Sequence, residues 1–189
     1  MSNDIRKLFN DSADLIRLSG EHLTDSIAAA AELIIDAYRS GKAVFVFGNG
    51  GSAADAQHLC AELVGRFRRE RRPLRAEALT TDTSALTAIA NDYGFEQVFA
   101  RQLEGKGKAG DIAVAITTSG NSPNILAALE TARRVGLKCI VLSGEGGGKS
   151  GPLADILLDA PSTDTPRIQE SHEVIYHVLC ELIESAMAG

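Results

Sequence analysis

His58 and Glu62 stand four residues apart, which on a helix places both side chains on one face. An imidazole beside a carboxylate is a candidate metal-ligand or acid–base pair. His58 alone would read as a satisfied structural histidine. A second polar series, Gln169, Glu170, His172, Glu173 and His177, lies near the C-terminus. It is interleaved with apolar Ile175, Val178, Leu179, Leu182 and Ile183, so some of its members face solvent. His22 has no partner in view and reads as surface.

Two loops carry groups suited to an anion. Gly48-Asn49-Gly50-Gly51-Ser52 follows the apolar run Val44–Phe47, a buried strand by its β-branched and aromatic content. The glycines allow a sharp turn and close backbone approach, and Ser52 stands where a helix N-cap is expected. The helix start then offers free amides and a positive dipole end. Thr117-Thr118-Ser119-Gly120-Asn121-Ser122 gathers four hydroxyls between a second buried strand and a second helix start. In a parallel α/β sheet that is the carboxyl edge, where ligands bind. Taken alone it is also a rich N-cap. Together the two turns favour a phosphorylated ligand.

Two other glycine patterns carry no such weight. Gly48-x-Gly50-x-x-Ala53 fits the dinucleotide fingerprint, but the acidic residue it needs comes late, at Asp82. Ser143 to Ser150 ends like a phosphate-binding loop, yet begins with Ser and runs into Gly151-Pro152 where a helix should start. It reads as a mobile surface loop. The basic run Arg66 to Arg72 reads as a solvated helix end closed by Pro73, with nucleic-acid contact as the sharper alternative. The net charge of -6 weakens that alternative.

The elements needed to hold these groups are legible. Two helices, about Asp4–Leu18 and Leu23–Tyr38, precede the first strand, separated by Gly20 and stopped by Gly41. Their apolar faces call for burial at a subunit interface. Further strands are predicted at Arg75–Leu79, Asp111–Ile116, Leu137–Leu142 and Ile156–Leu158. Helices are predicted at Thr83–Ala90, Asn124–Val135 and Thr165–Ala186, with Thr165 as cap, and Asn91-Asp92-Tyr93-Gly94 forms a polar break. Alternating strands and helices argue for a parallel sheet covered on both faces.

With 189 residues, 44% hydrophobic and 23% charged, the chain fits one domain with a sizeable core. The N-terminus is polar, unlike a secretory signal, and no apolar run approaches the roughly 20 residues of a membrane span. Cys60, Cys139 and Cys180 are an odd, widely spaced set, which points to a reducing cytoplasm.

Gly48-Asn49-Gly50-Gly51-Ser52, His58-x-x-x-Glu62, Asn91-Asp92, Thr117 to Ser122, and Gln169 followed by His177 together resemble the phosphosugar isomerase (SIS) domain family. The resemblance covers nearly the whole chain. It implies a flavodoxin-like three-layer α/β/α sandwich around a five-stranded parallel sheet. Residues 1–189 would form one domain, with residues 1–41 contributing to a homotetramer whose sites lie at subunit interfaces. Neither nucleic acid nor membrane is an expected partner. The implied reaction is aldose–ketose isomerisation of sedoheptulose 7-phosphate to D-glycero-D-manno-heptose 7-phosphate, feeding bacterial surface glycans. By resemblance, Asn49, Gly50, Gly51, Ser52, Glu62, Asn91, Asp92, Thr117, Thr118, Ser119, Ser122 and Gln169 bind the substrate. Glu62 is the base and His177 the acid. One zinc ion per subunit is held by His58, Glu62, Gln169 and His177. Thr117 departs from the usual Ser but keeps a hydroxyl. A non-catalytic regulator of replication initiation and a phosphosugar-sensing module share this fold, and the full set Glu62, His177, His58 and Gln169 favours the enzyme. Gln169 and His177 lie about 12 Å apart along a straight helix, the limit for one metal. Either that helix bends or starts late, or two subunits build the site, the arrangement favoured here.

Overall fold

The structure, a computed structural model, describes residues 1–188. Five strands, β1 (Val44–Gly48), β2 (Ala76–Ala78), β3 (Ile112–Ile116), β4 (Lys138–Ser143) and β5 (Ile156–Asp159), form a wholly parallel sheet in the order β2-β1-β3-β4-β5. Each lies where the sequence predicts a strand. The chain winds outward in opposite directions from β1 and β3, so their carboxyl ends open a crevice between the loops that follow them. Those loops are the two hydroxyl- and glycine-rich turns.

Alternation along the strands divides the core into two layers. Val44, Val46, Val114 and Leu142 face α1 (Ser2–Arg39), α2 (Gly51–Val64) and α6 (Thr165–Met187). Phe45, Phe47, Ala115 and Val141 face the opposite layer, built by α3 (Thr83–Tyr93), α4 (Ala100–Lys106) and α5 (Pro123–Val135). The expected three-layer α/β/α sandwich is therefore present, with the sheet covered on both faces. Among the described residues no helix is long and apolar enough to cross a membrane.

Several local expectations need correction. The two leading helices are one continuous helix of 38 residues, with Gly20 inside it. A glycine costs an exposed helix about 1 kcal/mol, which the buried row Leu15, Ser19, Leu23, Ile27 and Ala30 outweighs. Ser52 is not the N-cap: α2 begins two residues earlier than that cap would place it, at Gly51, and is capped by Gly50 at φ 56°, a conformation disfavoured for serine. The run Arg66–Arg72 is not a helix end, because α2 stops at Val64 and the run follows as irregular chain. Asn91 to Tyr93 form the last turn of α3, closed by Gly94, and α4 was not anticipated. Asp164, not Thr165, occupies the N-cap of α6. The glycine loop after β4 is anchored rather than free: the buried Ser150 donates its amide to the Gly120 carbonyl at 2.9 Å.

Gly20 has no heavy atom within 4 Å of an added Cβ and has ordinary helical φ. Gly20→Ala should stabilise the fold by about 0.5–1 kcal/mol, mainly by restricting the unfolded chain, and raise the urea midpoint without changing the slope.

Candidate active site

The crevice between β1 and β3 holds a small polar cavity of about 80 Å³. Asn49, Ser52, Thr117, Thr118, Ser119, Ser122 and Gln169 line it with the Ile116 backbone, and no lysine or arginine does. Pockets for drug-sized ligands span about 300–1,000 Å³, so this one suits a single oxyanion rather than a nucleotide. Thr117 accepts from the Gly120 amide and Ser119 from the Asn121 amide, both at 3.2 Å, which leaves each hydroxyl proton to donate. At the first turn of α2 the amides of Gly51 and Ser52 have no partner among the described residues. The two loops are locked together by a reciprocal amide pair. Asn49 Nδ2 donates to Asn124 Oδ1 at 2.9 Å, and Asn124 Nδ2 donates to Asn49 Oδ1 at 2.8 Å.

A second cluster lies further along α2. His58 Nε2 is 3.3 Å from Glu62 Oε1, and His58 Nδ1 is 3.0 Å from the buried Tyr176 hydroxyl. The His58 and His177 rings meet edge to face at 5.0 Å, and Phe67 lies against His177 at 5.5 Å. Donor atoms of His58, Glu173 and His177 all fall within 4.8 Å of one another, a group able to hold a metal ion. Negative charge is crowded here. Burial, then the Glu173 carboxylate, pushes Asp55 up from 3.8 to about 6 despite the opposing pull of His58. Its Oδ2 is buried without a partner among the described residues. Burial and the neighbouring Asp55, Glu173 and Glu62 carboxylates also push the Tyr176 phenol well above its ordinary range, so it stays protonated.

α2 and α6 lie side by side and run in the same direction. Gln169 packs against Gly51, Tyr176 reaches His58, and Glu184 reaches the chain just after α2. A Cβ on Gly51 would fall 2.7 Å from Gln169 Nε2, so any side chain there would push the Gln169 amide aside.

The SIS domain profile matches residues 8–144. The chain belongs to the SIS domain family. A phosphoheptose isomerase of Geobacter sp. (strain M21) is 56% identical over 167 residues, covering 88% of this chain and 86% of the relative. A phosphoheptose isomerase of Geotalea daltonii is 49% identical over 189 residues, covering 100% of this chain and 98% of the relative. The solved structure of a phosphoheptose isomerase from Neisseria gonorrhoeae superposes with a TM-score of 0.93 at 41% identity, covering 97% of this chain and 98% of that one.

Within this SIS fold the sequence-selected residues separate into three groups. Asn49, Ser52, Thr117, Thr118, Ser119, Ser122 and Gln169 share the cavity, beside Gly50 and Gly51. His58, Glu62 and His177 share the second cluster, whereas Gln169 lies about 10 Å away along the helix axes. Asn91 and Asp92 are in neither: they are exposed at the end of α3 and bonded to each other at 2.8 Å. α6 runs as one helix from Thr165 to Met187, so a late start does not bring Gln169 to His177. His172 is fully buried, 3.0 Å from the Ser143 carbonyl, and desolvation takes it from 6.5 down to about 4, a neutral structural histidine. Sequence reasoning missed Asn124, Asp55 and Tyr176 and left Glu173 without a role. Asn124 had a signal, an amide in the first turn after the hydroxyl loop. Tyr176 and Asp55 had none beyond lying within a turn of the histidines.

For Asp55 the folded pKa lies above the unfolded one. Its contribution is complete below about pH 4 and is lost as pH rises through about 6. In chelator-treated protein Asp55→Asn should raise Tm at pH 8 and leave it nearly unchanged at pH 4, flattening that segment of the pH profile measured by calorimetry.

Proposed function

We propose that this SIS-domain chain is an aldose–ketose isomerase acting on sedoheptulose 7-phosphate. The observation that carries the reading is the pairing of an oxyanion-sized cavity at the β1/β3 crevice with an imidazole–carboxylate cluster on the same two helices. His58 and Glu62 lie seven and eleven residues beyond Gly51, about 10–16 Å along α2. That is the length scale of an open-chain sugar phosphate rather than of inorganic phosphate. With the phosphate on the hydroxyls and the free α2 amides, the carbonyl end runs toward Glu62. The relatives named phosphoheptose isomerase support the seven-carbon substrate. Its product would be D-glycero-D-manno-heptose 7-phosphate, a source of surface-glycan heptose.

Moving a carbonyl from C2 to C1 requires a carbon-bound proton to leave C1 and a proton to arrive at C2. Glu62 takes the C1 proton, giving an enediol, and returns it to C2. His177 carries the proton between the two oxygens. His58 holds the Glu62 carboxylate through its 3.3 Å contact, and Tyr176 fixes the His58 ring from the other side. The crowded carboxylates, the orphaned Asp55 oxygen and the two imidazoles suit a divalent cation such as zinc. His58 and His177 would hold it with Glu62, the carboxylate the resemblance assigns, or Glu173, the one the geometry offers. Bound there, zinc supplies Lewis-acid polarisation of the substrate carbonyl.

One copy leaves Asn91, Asp92 and the Gln169 ligand role outside the cluster, and these would act from a second copy. Residues 1–189 then work as one domain in a cytoplasmic homotetramer, with α1 at the contacts. Exposed Ile5, Leu8 and Phe9 on α1 and Val174, Val178 and Leu182 on α6 support such an assembly.

Purified protein incubated with sedoheptulose 7-phosphate should form the aldose. Binding without turnover would leave a phosphosugar-sensing module instead. Glu62→Gln should keep the fold and substrate binding while lowering kcat by a factor of about 100 to 10,000, as for loss of a general base. Near-wild-type turnover would remove Glu62 from the chemistry. Ser119→Ala and Ser122→Ala should each weaken substrate and inorganic phosphate binding by about 1.5–3 kcal/mol, measured by calorimetry.

A further inference from the structure

The basic run Arg66–Arg72 has no part in the isomerase reading, yet its most buried member ties together the two helices of the site. Arg71, 1% exposed, donates Nη2 to the Glu62 carbonyl at 2.7 Å and Nη1 to the Leu63 carbonyl at 2.9 Å. Both carbonyls lie in the last turn of α2 beyond the reach of intrahelical donors; Leu63 also accepts from the Leu74 amide at 3.1 Å, and the other belongs to the proposed base itself. Its Nε faces Glu184 of α6 at 3.4 Å, and Glu184 is 2% exposed. The Glu184 carboxylate also accepts from three successive amides: Phe67 at 2.8 Å, Arg68 at 2.7 Å and Arg69 at 2.8 Å. Successive amides converging on one carboxylate form an anion nest, and this one holds the chain that carries Phe67. The Phe67 ring in turn rests on His177.

We propose that the Arg71–Glu184 pair is a positioning element for the reaction, fixing Glu62 on α2 and, through Phe67, the His177 ring on α6. This rests on the roles assigned above to Glu62 and His177. The pair touches no substrate. It sits at the carboxyl end of α2, about 20 Å along the helix from the phosphate cavity at its start. Phosphate binding is therefore separable from the placement of Glu62. A carboxylate stripped of water is held here by three amide hydrogen bonds, with the Arg71 guanidinium beside it as a charge partner whose Nε makes no hydrogen bond among the described residues. The guanidinium is anchored instead through its two terminal nitrogens on the α2 carbonyls, which suits a joint that must keep two helices in register.

The test compares Glu184→Gln, Arg71→Lys and Phe67→Leu with wild type, each first checked for a cooperative thermal transition. Three readouts are taken: kcat and KM with sedoheptulose 7-phosphate, inorganic phosphate affinity, and the His177 ring proton shifts by NMR without substrate. The expected result is kcat lowered 10- to 100-fold with KM and phosphate affinity within about 2-fold, because small misplacements of catalytic groups cost rate more than binding. The His177 shifts should move as the Phe67 ring current changes. Arg69→Ala, which removes a side chain whose backbone amide alone is used, should leave all three readouts at wild-type values. A folded Glu184→Gln with wild-type kcat and unmoved His177 shifts overturns the proposal, as does an equal loss of kcat and phosphate affinity. If Glu184→Gln does not fold, Phe67→Leu decides, since it leaves the ion pair intact; wild-type kcat there overturns it. Should the wild-type protein fail to isomerise, the isomerase reading falls, while the NMR shifts still report whether the pair positions His177.

Discussion

β1 and β3 end too close together for a side chain. A Cβ on Gly48 would fall 2.6 Å from the Ser52 carbonyl and 2.8 Å from the Ile116 carbonyl. Real contacts do not come so near, so the first turn of α2 is pressed directly onto the end of β3. Everything polar at the carboxyl edge follows from that approach. It brings the start of α2 beside the hydroxyl loop, and the Asn49–Asn124 amide pair then closes the gap with both partners satisfied. Gly120 repeats the device on the far side, where a Cβ would meet the Gly147 carbonyl at 2.0 Å. The cavity is small because these close backbone approaches bring its short polar lining residues together.

The parallel run of α2 and α6 turns one contact into three. Gln169 on Gly51 sets the start, His58 with Tyr176 the middle, and Glu184 with the chain after α2 the end. The middle is electrostatically costly, as the raised Asp55 and its orphaned oxygen show. The end compensates with a fully satisfied buried carboxylate. Desolvation alone would raise Glu184, but the amides of Arg68, Phe67 and Arg69 and the Arg71 guanidinium outweigh it and hold the carboxyl below its usual range. Breaking a pair so buried typically costs about 3–5 kcal/mol, because the remaining charge is left without a partner. Unfavourable charge is thus placed in the middle of the α2–α6 contact, beside the histidines, and favourable charge at its end, where the helices are joined.

The parts legible in the sequence are those set by local pattern. β1, β3 and β4 are visible because a sheet covered on both faces needs continuous apolar runs, whereas the edge strand β2, with Glu77 at its centre, shows only as a short stretch after Pro73. The hydroxyl loop and the His58–Glu62 pair were visible because their partners lie within one turn or one loop. Ser52 was misplaced because a positive-φ glycine took its cap position, and nothing in the order Gly50-Gly51-Ser52 says which residue turns first. Gly20 was read as a break because propensity is local, whereas the burial that carries the helix through it comes from α6. Arg71 read as solvent-facing because its partner Glu184 lies more than a hundred residues on. Glu173 and Asp55 were ambiguous for the same reason: only the packing of α2 on α6 decides which carboxylates meet the histidines.

The cavity between the two loops is lined by uncharged dipoles alone, and that sets how it would meet an anion in solution. Hydroxyls and amides carry no net charge, so salt screens them far less than it would a lysine or arginine cluster. They also exert no long-range pull. On a chain with a net charge of -6, an approaching dianion meets repulsion until it is nearly in place. Association of an anion there would be unassisted by steering, with selectivity exercised at contact, by fit to the hydroxyls and amides of the lining. Salt would thus ease the approach of an anion by screening that repulsion while leaving the short-range contacts largely untouched, and the cavity would be exacting about the shape of what enters.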